Sequence, residues 1–167
     1  MRAAKGRRWA VHLGSRPLVA RANVPGIDMS IRYQFSCDDV SSVDLESLFA
    51  AAKLGGRVGD KLRRAFQNSH AVCLAYEGDR LIGASRAITD GEYHGVIYDV
   101  AVWPEYQGRG IGAQMLQELL ARLPVWRVML VADSDVQGFY RKAGFDEYPN
   151  VMARLDASRL YDVAPSK

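Results

Sequence analysis

The chain has 167 residues, of which 49% are hydrophobic and 25% charged, a composition typical of one globular domain with its own core. No window approaches the roughly 18 uninterrupted apolar residues of a membrane span. The net charge of +3 is uneven, because residues 29–167 hold 16 basic and 18 acidic side chains. This slightly acidic part excludes a basic nucleic-acid-binding domain.

The remaining positive charge lies in residues 1–28, which lack the apolar core of a secretory signal. We expect a poorly ordered basic leader there, with a transit peptide or an extension upstream of Met29 as the alternatives. The folded domain is predicted over residues 29–155, and residues 156–167 form a C-terminal tail.

Two cysteines, Cys37 and Cys73, lie 36 residues apart. Neither the count nor the spacing indicates a disulfide framework or a zinc site. We therefore predict no metal centre and expect both cysteines to be small buried residues in a protein of the reducing cytoplasm.

The first half of the domain predicts one strand and two helices. Residues 31–35 alternate as a short strand, and Ser41 and Ser42 can cap a helix that the pair Gly55-Gly56 ends. The apolar stripe of this helix is Leu45, Leu48, Phe49 and Ala52, and that of the second helix is Val58, Leu62, Ala65 and Phe66.

The second half predicts a series of strands interrupted by helices. Three strand-like runs with tight turns cover residues 71–76, 81–89 and 93–102. An amphipathic helix then runs from a glycine cluster to Pro124. After it come a nearly continuous apolar strand (125–132), a short helix (136–143) and material for a last strand (Phe145 and 151–155). This order predicts an α/β fold whose mixed sheet has an antiparallel meander followed by β-α-β units.

The glycine cluster carries the strongest chemical signal. Gly108, Gly110 and Gly112 stand at alternate positions between a strand and the amphipathic helix. Unpaired amides at a helix start, together with the positive end of the helix dipole, make an anion site suited to a pyrophosphate. The alternative is that these glycines only form a turn.

One hypothesis for this cluster is a dinucleotide site. Gly108-x-Gly110-x-x-Ala113 satisfies that pattern, and Asp133 lies 20 residues further on, where a ribose-binding acid would lie. However, residues 103–107 separate the strand from the glycines, hairpins precede it, and only 54 residues follow Ala113. A dinucleotide-dependent oxidoreductase is therefore the last of our hypotheses.

Two motifs in a fixed order carry a family resemblance. Residues 100–112 (VAVWPEYQGRGIG), followed by residues 138–145 (GFYRKAGF), resemble the acetyl-CoA signature of the GNAT superfamily of N-acetyltransferases. Residues 80–90 and 96–100 are similar to the branch with the plastid and cyanobacterial-type serotonin (arylalkylamine) N-acetyltransferases. After Asp90 the chain has Gly-Glu-Tyr-His-Gly where that branch usually has a Phe-Asn-Ala stretch, so the resemblance specifies the cofactor better than the acceptor.

The resemblance implies the GNAT fold, in which two strands splay apart to admit acetyl-CoA between them. It implies that main-chain groups of residues 100–102 pair with pantetheine and that amides of the glycine loop hold the pyrophosphate. The candidate cofactor-binding residues are Val100, Ala101, Val102, Gln107, Gly108, Arg109, Gly110, Ile111, Gly112, Ala113, Asp133, Phe139, Tyr140 and Lys142.

Acetyl transfer to an amine requires positioning and proton handling rather than an enzyme nucleophile. Neutralising an alkyl ammonium of pKa near 10.4 at pH 7 costs about 4–5 kcal/mol, so a carboxylate or an ordered water must accept the proton. Asp99 is the candidate base, because it ends the strand beside the expected pantetheine contacts. The resemblance implies that Tyr140 is the general acid for the departing thiolate.

The sequence thus predicts an acetyl-CoA-dependent N-acetyltransferase that acetylates a primary amine of a small molecule, such as an arylalkylamine or a polyamine, in a ternary complex. Acetylation of a protein lysine or N-terminus is one alternative, and a non-catalytic acetyl-CoA-sensing module is another. We expect no nucleic-acid or membrane partner, and pairing of C-terminal strands makes a homodimer reasonable.

Overall fold

The computed structural model of the chain describes residues 30–149 and 151–154. The predicted leader (1–28) and tail (156–167) lie outside the described residues. The described helices are α1 (Ser42–Ala51), α2 (Gly59–Gln67), α3 (Ile111–Arg122) and α4 (Gln137–Lys142). The described strands are β1 (Ile31–Gln34), β2 (Ala71–Glu77), β3 (Arg80–Thr89), β4 (His94–Val102) and β5 (Arg127–Leu130).

The five strands form one sheet in the order β1-β2-β3-β4-β5. Each of the strands β1 to β4 pairs antiparallel with the next strand along the chain. Strand β5 pairs parallel with β4 after the crossover through α3. The mixed α/β architecture predicted from the element order is therefore confirmed.

The helices cover both faces of this sheet. Side chains alternate between the faces along each strand, so that Cys73 of β2 joins the core under α3, while Leu74 joins the core under α1 and α2. The pair α1 and α2 is joined by an edge contact between the rings of Phe49 and Phe66, 6.0 Å apart. This arrangement holds the loop between α1 and α2 over the sheet face that these two helices cover, which we call the α1/α2 face.

A β-bulge in β4 ends its pairing with β5. Arg86 of β3 opposes Asp99, but Ala87 opposes Ile97, which leaves Tyr98 as an extra residue on β4. The parallel pairing with β5 covers only His94–Ile97. In the described part of the chain, the segment from Tyr98 to Val102 therefore has a strand partner on the β3 side alone. The strands β4 and β5 therefore part after Ile97, as the splayed strand pair implied by the resemblance requires.

The last two predicted strands differ from the structure. The apolar run 125–132 yields only the four residues of β5, all half-buried, and Val131 is 90% exposed. Residues 145–149 and 151–154 form no strand. Because β5 has a partner on one side only among the described residues, a longer apolar strand would gain little burial there. Phe145 packs instead against the ring of Tyr140, at 6.1 Å.

Both cysteines are free and buried, as predicted. Burial raises the pKa of the Cys73 thiol to about 12, so this thiol is unreactive at neutral pH. The described residues contain no group of three or more potential metal ligands, and none of their helices has the length and apolarity needed to cross a membrane.

The contact between α1 and the start of α2 gives a test of this packing. A Cβ on Gly59 would lie 2.5 Å from the Ser42 carbonyl oxygen and 2.8 Å from Glu46 Oε2. We expect Gly59→Ala to lower the free energy of unfolding by about 1–3 kcal/mol, because main-chain atoms must shift. Gly138→Ala in α4 is the matched control, since no atom lies within 4 Å of its added Cβ.

Urea unfolding of both variants measures the difference. The control should unfold like the parent chain or be up to about 1 kcal/mol more stable, because alanine favours the helix. A Gly59→Ala variant as stable as the parent would show that α1 does not close over the start of α2 in this way.

Candidate active site

The glycine loop turns the chain from β4 into α3 with two left-handed residues. Gly108 and Gly110 have φ values of +78° and +82°, a region that residues with a Cβ enter only at a cost. Gly110 is the N-cap of α3 and supplies no capping side chain. The amides of the first turn of α3 are consequently left for an external acceptor, as an anion site requires.

Contacts from β2 and β4 hold this loop in place. Gln107 Nε2 donates to the main-chain oxygen of Val102 at 3.0 Å. Arg109 Nη2 lies 3.3 Å from Glu77 Oε1 and its guanidinium stacks over the ring of Tyr106. The Tyr106 hydroxyl donates to Glu77 Oε2 at 2.5 Å. Gln107 and Arg109, both predicted as cofactor contacts, thus also position the loop on the sheet.

The open edge of β4 runs directly into this loop. Trp103 donates its main-chain N–H to Ile82 O of β3 at 3.0 Å. Because main-chain groups alternate between the two sides of a strand, those of Ala101 also face β3, while those of Val100 and Val102 face the open edge. Ala101 and Val102 have buried side chains, so main-chain groups are what this edge offers to a ligand. Of the three predicted pantetheine contacts, Val100 and Val102 have this orientation.

Two further predicted contacts pack against the start of α3. A Cβ on Gly112 would be in ordinary contact with Phe139 Cζ, at 3.6 Å, and the Phe139 ring meets that of Tyr140 edge to face at 4.9 Å. Phe139 therefore joins α4 to the glycine loop, whose remaining predicted residues, Ile111 and Ala113, form the first turn of α3. Asp133 and Lys142 are exposed, and no hydrogen bond or ion pair in the described part of the chain joins them to the loop.

Tyr140 lies on α4, and its side chain is held between two aromatic rings. The rings of Phe139 and Phe145 lie 4.9 and 6.1 Å from it, both nearly perpendicular. Burial, and secondly the negative charge of Asp99, raise the pKa of the Tyr140 hydroxyl. The phenol is therefore protonated throughout the neutral range, as a proton or hydrogen-bond donor must be.

Asp99 is the only fully buried carboxylate among the described residues. Arg86 Nε, across the strand pair, donates to Asp99 Oδ2 at 2.5 Å. Arg57 Nη2, from the loop between α1 and α2, lies 2.8 Å from Asp99 Oδ1. That second contact is an ion pair without the alignment of a hydrogen bond, because Oδ1 accepts none. We call Arg57, Arg86 and Asp99 the arginine–aspartate cluster.

Sequence analysis missed both arginines and Glu77. Arg86 could have been noticed, because it is the one charged residue inside the apolar run 81–89 and must be paired if that strand is buried on both faces. Arg57 and Glu77 carried no such signal, since each lies in a stretch of ordinary polar composition far from its partner in sequence.

Comparisons with known proteins agree with this geometry. The family model described as "Acetyltransferase (GNAT) domain" matches residues 68–147. An uncharacterized N-acetyltransferase ycf52-like protein of Prochlorococcus marinus is 31% identical over 133 residues, which cover 74% of each chain.

Two plant relatives are named for different activities. Histone acetyltransferase TAP1 of Glycine max is 34% identical over 125 residues, covering 66% of this chain and 54% of the relative. The chloroplastic serotonin N-acetyltransferase 2 of Oryza sativa is 34% identical over 115 residues, covering 65% of this chain and 58% of the relative. The chain thus spans little more than half the length of these two relatives.

Solved structures share the fold. A GNAT family acetyltransferase of Streptococcus pneumoniae superposes with a TM-score of 0.66 at 27% identity, over 76% of this chain and 98% of that one. Glucosamine-6-phosphate N-acetyltransferase of Arabidopsis thaliana gives a TM-score of 0.58 at 15% identity, over 75% and 97% of the two chains. The second likeness shows the fold alone.

The glycine loop gives a direct binding test. We expect Gly110→Val to abolish acetyl-CoA binding, because a branched side chain would fill the space in front of the uncapped amides of α3 and strain the left-handed residue. Gly91→Val is the matched control, since Gly91 has the same φ of +82° in the β3–β4 turn and no atom within 4 Å of its added Cβ.

Calorimetric titration with acetyl-CoA measures the effect. The Gly91 variant carries the same backbone strain and should bind acetyl-CoA like the parent chain. Equal loss of binding in both variants, or normal binding in Gly110→Val, would remove the glycine loop from the cofactor site.

Proposed function

Because the chain belongs to the GNAT family of N-acetyltransferases, we propose that it transfers the acetyl group of acetyl-CoA to a primary amine of a small molecule in a ternary complex. One observation carries the proposal. The open edge of β4 leads into an uncapped helix start, and a protonated tyrosine and a buried carboxylate lie beside it.

The residues present fit acetyl-CoA. Pantetheine contains amide groups, which match the main-chain groups of Val100 and the N–H of Val102 on the open edge, whereas the Val102 oxygen already accepts from Gln107. The pyrophosphate matches the first-turn amides of α3 and the left-handed glycines before them. Acetyl-CoA supplies an acyl group activated as a thioester, and the chain supplies its orientation toward the amine.

Tyr140 is proposed to assist the leaving sulfur. Its hydroxyl pKa lies above the ordinary value near 10, whereas a thiol has a pKa of about 8.5, so full proton transfer to the thiolate costs at least about 2 kcal/mol. Hydrogen-bond donation from Tyr140 to the sulfur is therefore its favoured role. A neutral phenol makes this contribution over the whole physiological pH range.

Asp99 is proposed to act on the amine side of the reaction. Acceptor ammonium groups must lose a proton before attack, and a buried carboxylate both attracts the cation and lies where water is excluded. The cluster with Arg57 and Arg86 holds Asp99 in place.

The small-molecule acceptor is favoured by the exposed aromatic surface beside the cluster. The Tyr98 ring is half exposed and lies 5.0 Å from the Arg86 guanidinium, which gives an aryl group a flat surface next to Asp99. Acetylation of a protein lysine is the second candidate, supported by the name of the Glycine max relative, histone acetyltransferase TAP1. An acetyl-CoA sensor without turnover is the third.

Turnover measurements decide among these. Release of free thiol from acetyl-CoA is followed against arylalkylamines, polyamines and lysine peptides, with calorimetric titration of acetyl-CoA and NADH on the same sample. Thiol release with an arylalkylamine or a polyamine supports the proposal, and release with peptides alone selects the protein acceptor. Binding of acetyl-CoA without release of thiol supports the sensor hypothesis. Binding of NADH but not acetyl-CoA would overturn the acetyltransferase proposal.

The role of Tyr140 predicts a specific kinetic change. Tyr140→Phe should lower kcat more than tenfold, because it removes one hydrogen bond to the departing sulfur. The dissociation constant of acetyl-CoA should change little, since the ring still packs between Phe139 and Phe145. Tyr148→Phe, at an exposed tyrosine, is the matched control and should keep the parent kcat. An unaltered kcat in the Tyr140 variant would remove this residue from the mechanism.

A further inference from the structure

The two oxygens of Asp99 are bound differently. Oδ2 accepts the Nε hydrogen of Arg86, which lies directly opposite on β3 and is 14% exposed. Among the described residues, Oδ1 has an ion pair with Arg57, whose side chain is 40% exposed, and it accepts no aligned hydrogen bond although it is completely buried. Buried carboxylate oxygens normally accept at least one hydrogen bond, and Oδ1 could accept one from a better-aligned N–H donor.

Arg57 can leave this position without disturbing the sheet. It belongs to the loop between α1 and α2, and its side chain reaches Asp99 from the solvent side, with its guanidinium 5.9 Å from the Phe49 ring. Asp99 is fully buried and must stay paired, whereas the 40% exposed guanidinium of Arg57 can return to water at little cost. Arg86, in contrast, is fixed by its strand and keeps its bond to Oδ2 in either case.

The charge of the cluster also favours an exchange. Two guanidinium groups face one carboxylate, so the cluster carries a surplus of one positive charge. If an ammonium ion replaces Arg57 at Oδ1, that charge is unchanged. If it binds while Arg57 stays, a second surplus charge is added in a partly buried site, which is unfavourable.

The position of Oδ1 matches the acceptor side of the proposed reaction. Asp99 lies at the bulge where β4 and β5 separate, and its charge reaches the hydroxyl of Tyr140. An amine bound through its nitrogen at Oδ1 would therefore lie next to the groups that handle the thioester.

We propose that Arg57 is a placeholder for the acceptor, and that Asp99 Oδ1 is the cation subsite where the ammonium group of the amine displaces it. This inference rests on the proposed function and names a residue that determines acceptor affinity. The fixed Arg86–Asp99 pair forms the base of the subsite, and Arg57 returns when the uncharged acetylated product leaves.

The test is the acceptor KM of Arg57→Ala with the best amine of the turnover panel. Removing the competing cation should lower the amine KM about three- to tenfold and leave the KM of acetyl-CoA unchanged. Arg57→Lys is the matched control, because a lysine still offers a cation to Oδ1 and should restore a KM closer to that of the parent. Circular dichroism shows that each variant is folded.

Free guanidinium ion gives a second, independent measurement. At about 10 mM, far below denaturing concentrations, guanidinium chloride should inhibit Arg57→Ala competitively against the amine, because it refills the vacated subsite. The parent enzyme should be inhibited about three- to tenfold more weakly, because guanidinium must first displace Arg57 there. Urea at the same concentration is the neutral control of nearly equal shape and should inhibit neither.

The outcomes are distinct. The proposal that Arg57 is a placeholder would be overturned by an amine KM that is unchanged or higher in Arg57→Ala. It would also be overturned if guanidinium did not compete with the amine in that variant. A higher KM would show that Arg57 itself binds the acceptor, for example through an anionic group. Absence of thiol release from the parent enzyme with every amine would instead overturn the proposed function, which the parent measurement alone reveals.

Discussion

Main-chain pairing between β4 and β5 stops at Ile97 and Leu130, and the candidate site depends on that interruption. Unpaired main-chain groups inside a fold are costly unless something binds them, so the open edge offers hydrogen-bonding groups to a ligand. The bulge at Tyr98 causes the separation, because one extra residue turns the end of β4 away from its neighbour. The glycine loop follows the open edge along the chain, and Phe139 of α4 packs against the start of α3.

The second constraint is the burial of one charge. Placing the carboxylate of Asp99 in the interior costs several kcal/mol unless it is paired, and the two arginines that pair with it come from different layers. Arg86 lies on the neighbouring strand, whereas Arg57 comes from the loop over the α1/α2 face. In the proposed function, the acceptor side is therefore linked to that loop, while the cofactor side is linked to α3, which covers the other face of the sheet.

Elements that are encoded by short-range sequence patterns were predictable from the sequence. The meander, the amphipathic α3 and the glycine loop follow from local periodicity and from glycines whose positive φ the structure shows at 108 and 110. The Ser41 cap of α1 was also predicted and found, with its hydroxyl accepting from the amide of Asp44 at 3.3 Å. The strand over 125–132 was overestimated, because an apolar run does not show how many neighbours its strand will have.

The sequence by itself determined the order of elements as far as α4, the glycine loop before α3 and the family, since each is encoded in residues that are close along the chain. The tertiary structure alone decided where β4 and β5 part, because a bulge depends on the register of two strands. It also decided that Glu77, 32 residues before Arg109, anchors the loop, and that Asp99 is enclosed by two arginines. Pairing of distant charges follows from how layers pack, which no local pattern records.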